Sequence, residues 1–292
     1  MKTLKLLFSI CLLICFSCSD ESSDNPTSGN NSSEPNLVIK FKFDPNQVRL
    51  DNLGQPATIP SGNAAQSPDF AMMSANYIEL APTATTLLGQ GEIIFEGPKT
   101  TAGGDDAIDF QNATFAGNNE TFLTIPLSEV SAGNYEWVRI SLAYQEGELD
   151  FLLNGTDYTG TLASFVGFNT YISSFDLNGE TVDVNANRLQ GYWAFESNGF
   201  LSQGQAPPGA TTVPNPLFDT SPVPQGSCVV TGQFANGLTI SGNETQDVVV
   251  TLSFSVNNSF EWTEVNADGK YEPDAGEQVV DMGLRGLIPI VE

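Results

Sequence analysis

From Leu37 onward, large apolar residues fall at every second position in short runs, and no run keeps the 3.6-residue period of a helix with one buried face. This pattern directs the chain into sheets. Leu37, Ile39, Phe41 and Phe43 alternate with Val38, Lys40 and Lys42, as in a strand that buries one side. Similar runs recur at 76–80, 92–96, 122–125, 135–144, 148–153, 171–177, 180–184, 229–234, 247–256 and 259–265. Asn154-Gly155 and Asn178-Gly179 tolerate the positive φ angles of two-residue hairpin loops, and Asn257-Asn258 does so less readily. Each predicts a pair of adjacent antiparallel strands. Pro207-Pro208, Pro214, Pro216, Pro222 and Pro224 rule out a regular central strand across 203–226, which predicts a long loop or an interdomain connection. The expected fold is therefore all-β: one antiparallel β-sandwich over 37–292, with two β subdomains meeting within 203–226 as the alternative. The single body is favoured because only about three clear strands follow Gly226, too few to close a core alone.

Composition narrows the chemistry. The chain of 292 residues carries 35 acidic against 10 basic residues, a net charge of -25, so it repels phosphate backbones and no nucleic-acid partner is expected. Histidine is absent, which removes Ser-His-Asp and Cys-His catalysis and the usual imidazole metal sites. Neither a G-x-S-x-G elbow nor a phosphate-binding loop occurs. Catalysis, if present, would rest on carboxylates, hydroxyls or amides.

Residues 1–17 read as a secretory signal, with Lys2 and Lys5 ahead of an apolar stretch from Leu6 to Phe16 that is too short to span a bilayer. Three of the four cysteines, Cys11, Cys15 and Cys18, lie in or at the end of this stretch; the fourth is Cys228. The segment resembles a bacterial lipoprotein signal, which implies that Cys18, preceded by small Ser17, is acylated and becomes the mature N-terminus. The following Ser19-Asp20-Glu21-Ser22-Ser23-Asp24 resembles the acidic signal that sends Bacteroidota lipoproteins to the cell surface. The resemblance implies a lipid anchor in the outer membrane, with the body facing the exterior. Residues 18–36 lack large apolar side chains apart from the signal boundary and read as a flexible tether. Cys228 is then the one unlipidated thiol, expected to pack as a small apolar residue. The phrase from Leu123 to Ile140, with Gly133-Asn134-Tyr135 at its centre, resembles the "vPaGtY" strand opening of bacterial extracellular β-sandwiches and implies a turn into a strand, nothing more specific.

Two clusters invite a functional reading. Tyr192, Trp193 and Phe195, with Trp137 and Trp262, have the chemistry of a sugar-stacking platform and equally that of a β core, and core packing is the expectation. Asp105-Asp106 reads as a solvated loop. The acidic stretch Glu264 to Glu277 spaces oxygen ligands as hard cations require: Glu264, Asn266 and Asp268 at positions one, three and five, Gly269 at six, and the Lys270 carbonyl at seven. It resembles the D-x-N-x-D-G calcium loops of bacterial surface proteins, which implies structural Ca²⁺, with Asp274 or Glu277 supplying the closing carboxylate. Glu replaces the first Asp and Ala275 stands at position twelve; the alternative is a metal-free acidic turn. The expected function is that of a non-enzymatic, surface-anchored binding or accessory lipoprotein whose partner is a glycan or an envelope protein. The alternatives are a carboxylate-dependent hydrolase of an extracellular polymer and a structural adhesin-like or envelope-assembly component.

Overall fold

A computed structural model of the chain describes residues 34–206 and 221–292. The signal, Cys18 and most of the tether lie outside the described residues, as do Pro207, Pro208, Pro214 and Pro216. Residues 34–292 form one compact unit.

The alternating runs are strands, and more strands than the runs announced. They are β1 (Asn36–Asp44), β2 (Asn63–Gln66), β3 (Asp69–Ala81), β4 (Glu92–Glu96), β5 (Lys99–Thr100), β6 (Ala107–Asp109), β7 (Phe115–Ala116) and β8 (Thr121–Pro126). Next come β9 (Gly133–Leu153), β10 (Thr156–Phe165), β11 (Asn169–Leu177), β12 (Glu180–Leu189), β13 (Tyr192–Ser197) and β14 (Phe200–Gln205). The C-terminal part adds β15 (Cys228–Ile240), β16 (Val248–Ser255), β17 (Phe260–Thr263), β18 (Gln278–Met282) and β19 (Leu287–Val291). No helix of seven or more residues occurs among the described residues.

An eight-stranded sheet organises the molecule, with main order β14-β13-β10-β9-β3-β4 and with β15 and β7 pairing to β9 and β3. Its axis is β9, 21 residues long, where the sequence pattern suggested two separate strands. One edge of β9 pairs with β3, and the other pairs first with β15 and then with β10. A four-stranded sheet, β19-β16-β1-β8, covers one part of this frame. Leu37, Ile39, Phe41 and Phe43 of β1 pack there with Val138, Ile140 and Leu142 of β9 and Val250, Leu252 and Phe254 of β16. These are the apolar positions of the alternation, so the sandwich core follows from the pattern.

Two smaller sheets cover the rest. Sheet β12-β11-β6-β5 closes a second core around Phe110, Tyr144, Phe165, Phe175 and Tyr192. Sheet β18-β17-β2 closes a third around Leu149, Phe151, Phe260 and Trp262. Strands before and after the Pro-rich stretch share sheets, because β15 pairs with β9 and β16 lies parallel to β1.

The turns divide. Asn154-Gly155 and Asn178-Gly179 both take positive φ and join β9 to β10 and β11 to β12. Asn198-Gly199 does the same for β13 and β14. Asn257-Asn258 does not make the hairpin its sequence suggested: β16 pairs with β1 and β19, whereas β17 pairs with β2 and β18. Only Asn258 takes a positive φ there, so the chain leaves one sheet for another instead of reversing within it.

Candidate functional site

The Asn154-Gly155 turn fixes the register of the hairpin β9–β10. It sets Phe151 opposite Tyr158 and Asp150 opposite Thr159. The two rings stack at 5.6 Å with 27° between planes, and Phe195 of β13 meets Phe151 edge-on at 5.3 Å. Gly160 makes this possible, since a Cβ there would lie 2.1 Å from the Phe195 ring. Tyr158 keeps 37% of its surface exposed on a backed and immobilised neighbour.

Beyond β3, the outer edge of β9 lacks a strand partner and is satisfied by other groups. The Gln66 side chain donates to the Asp150 carbonyl at 2.7 Å and accepts from the Asp150 N–H at 2.9 Å. The Leu152 N–H donates to the Tyr271 carbonyl at 2.7 Å. Tyr271 is anchored in the third core against Phe260 (5.2 Å) and Trp262 (5.7 Å). Between the hairpin and the segment Gly269-Lys270-Tyr271 runs an open groove of about 490 Å³, with Asp150, Asp157, Tyr158 and Thr159 along it. That volume is within the range of small-molecule sites.

Its polar groups are arranged asymmetrically. The Thr159 hydroxyl donates to Asp150 Oδ1 at 2.9 Å, and Lys270 Nζ meets Asp157 Oδ1 at 2.6 Å. The Asp157 carboxylate holds the exposed Lys270 ammonium above its ordinary range. Asp150 Oδ2 and Asp157 Oδ2 accept no hydrogen bond among the described residues.

Gly269, Lys270 and Tyr271 of the acidic stretch line the groove's other side, and the carboxylates of the stretch accept mainly from backbone donors. Glu277, 4% exposed, accepts from Val265 N–H (3.0 Å), Asn266 N–H (3.3 Å) and Glu272 N–H (2.7 Å). Glu264 accepts from Asp268 N–H (3.0 Å), Gly269 N–H (2.7 Å) and the Trp262 indole N–H (2.9 Å). Asp268 accepts from the Lys270 N–H at 2.9 Å, and Asp274 reaches across to the Asn154 N–H at 2.9 Å. The Asn266 amide donates to Glu272. Thus Glu264, Asn266, Asp268, Lys270, Asp274 and Glu277 each have an internal role. Among the described residues, no three acidic, histidine or cysteine side chains form a group able to hold a metal ion. Together Glu264 and Glu277 accept six N–H hydrogen bonds.

Glu261 is 3% exposed and binds Arg49 (3.1 Å), Arg285 (3.0 Å) and Asn63 (2.6 Å). This network ties β17 to β2 and to the segment after β18. Removing one partner from such a pair leaves a buried charge uncompensated, which typically costs about 3–5 kcal/mol.

The other sequence candidates take structural places. Trp262 is fully buried, while Tyr192 and Ala194 face the second core and Phe195 backs the groove. Asp105 and Asp106 are exposed loop residues. Cys228 packs against the sandwich core, where burial pushes its thiol up to about 12. Tyr135 opens β9 with its hydroxyl on the Ser131 carbonyl at 2.7 Å. The sequence reading missed Asp150, Asp157, Tyr158 and Thr159. The hairpin register implied by Asn154-Gly155 places Tyr158 against Phe151, so that pair had a signal; the link from Asp157 to Lys270 had none. Comparison with protein-family models, with curated proteins and with solved structures yields no match to this chain.

Proposed function

We propose that this chain is a non-enzymatic, surface-anchored glycan-binding lipoprotein, acylated at Cys18 and held outside the outer membrane by the tether. The carrying observation is the exposed Tyr158 ring, stacked on Phe151, in a groove whose lining also includes Asp150, Asp157 and Thr159. A sugar presents just this pairing, with C–H faces that pack on an aromatic ring and hydroxyls that bond to oxygen acceptors. Binding is put ahead of hydrolysis because the sequence carries neither a histidine nor a G-x-S-x-G elbow.

The test is sedimentation of the mature protein with insoluble polysaccharides, beside Tyr158→Ala, with assay of released reducing ends. The expected result is binding that Tyr158→Ala weakens about tenfold or more, without released sugar. Release that Asp150→Asn abolishes would establish the hydrolase alternative. Anchoring is tested separately: Cys18→Ala should free the protein from the outer membrane, and continued membrane retention with protease accessibility would refute the anchor.

A further inference from the structure

We infer that the recess between the β9–β10 pair and residues 281–286 is a hydration site, in which ordered water pairs with the buried side chains of Gln145 and Ser164. These two residues stand opposite each other in the β9–β10 register, and each keeps only 2% of its surface exposed. With Cys228, Asp281, Met282 and Arg285 they line a recess of about 40 Å³. The Gln145 amide N–H donates to the Met282 carbonyl, which fixes the amide's orientation and leaves Oε1 as its acceptor. That Oε1, the Ser164 hydroxyl oxygen and Arg285 Nε make no hydrogen bond among the described residues.

Volume and chemistry agree on the ligand. A cavity needs about 10–15 Å³ to admit one water, so this recess has room for at least one. Gln145 Oε1 accepts, the Arg285 Nε–H donates and the Ser164 hydroxyl does both, and water, which donates and accepts, answers each of them. An apolar ligand would leave all three buried and unpaired, which polar groups in folded proteins rarely are. The lining also holds one guanidinium, Arg285, and two carboxylates, Asp51 and Asp281. An ion of either sign would meet its like charge there at short range, and neutral water does not.

The test takes two readings on the mature protein in mild detergent: a near-atomic crystal structure, and urea unfolding of the wild type beside Ser164→Ala, which deletes a single hydroxyl. The structure should show water density about 2.5–3.2 Å from Ser164 Oγ and from Gln145 Oε1. Ser164→Ala should lower the urea midpoint, because a bound water loses a partner. A dry hydroxyl gives the opposite sign, since deleting an unpaired buried polar group relieves its cost. A recess without that density, density with the short, many-liganded contacts of a metal ion, or an unchanged or raised midpoint would each overturn the site. The density reading needs no variant and decides alone if Ser164→Ala does not fold.

Discussion

Glu277 shows how one side chain shapes the groove without touching what enters it. Its buried carboxylate gathers three N–H groups from both ends of the acidic stretch, so the stretch closes on itself. Glu277→Gln halves the acceptor capacity and should cost about 2 kcal/mol, read as a lower urea midpoint in EDTA and in calcium buffer alike. If instead millimolar Ca²⁺ raises stability and Asp268→Ala abolishes the gain, the carboxylates belong to a cation. A second carboxyl gives a pH signature. Burial, opposed by the Tyr144 hydroxyl and reinforced by Asp176, holds Glu146 above the ordinary carboxylate range. The folded chain then retains this proton to higher pH than the unfolded chain. The stabilisation it contributes is full below the unfolded value and is lost as pH rises through the folded one. Glu146→Gln should therefore be more stable than wild type at about pH 7 and equal to it at about pH 4. Equal melting temperatures at both pH values would contradict this.

Among the elements, the hairpin β9–β10 carries the account. Gly160 leaves the space that Phe195 fills behind Phe151, and Gly160→Ala would drive a methyl into that ring. Overpacking of this kind costs about 1–3 kcal/mol, and the displaced Phe195 should also loosen the Tyr158 platform. The measurement is a paired one, thermal unfolding and polysaccharide affinity, and a variant unchanged in both would show that the backing ring does not matter. This hairpin was legible in the sequence because Asn154-Gly155 dictates both the turn and the register, hence the pairing of Phe151 with Tyr158. Asn257-Asn258 was misleading because a turn signal reports local φ, not whether the next strand stays in the same sheet. The parallel pairing of Leu37 with Val248 was illegible for a related reason: both strands alternate correctly, and alternation does not name a partner. Short β5, β6 and β7 are too brief to show any period.

At the scale of the molecule, the three cores described above, out of four apolar clusters among the described residues, share one strand. Val138 and Leu142 of β9 lie in the sandwich core, Tyr144 in the second core, and Leu149 and Phe151 in the third. The C-terminal strands are equally shared, since β16 separates β1 from β19 and β15 supplies Val230, Phe234, Leu238 and Ile240 to the sandwich. A chain ending at Gly226 should accordingly fail to fold, showing no cooperative melt and rapid proteolysis. A stable, cooperatively unfolding fragment would favour the two-subdomain arrangement. The central claim is that the groove beside this hairpin takes a glycan. Hydrogen exchange of the mature protein with and without a bound polysaccharide tests it most directly. The account predicts slowed exchange confined to residues 149–160 and 269–272; slowed exchange elsewhere, with these segments unchanged, would contradict it.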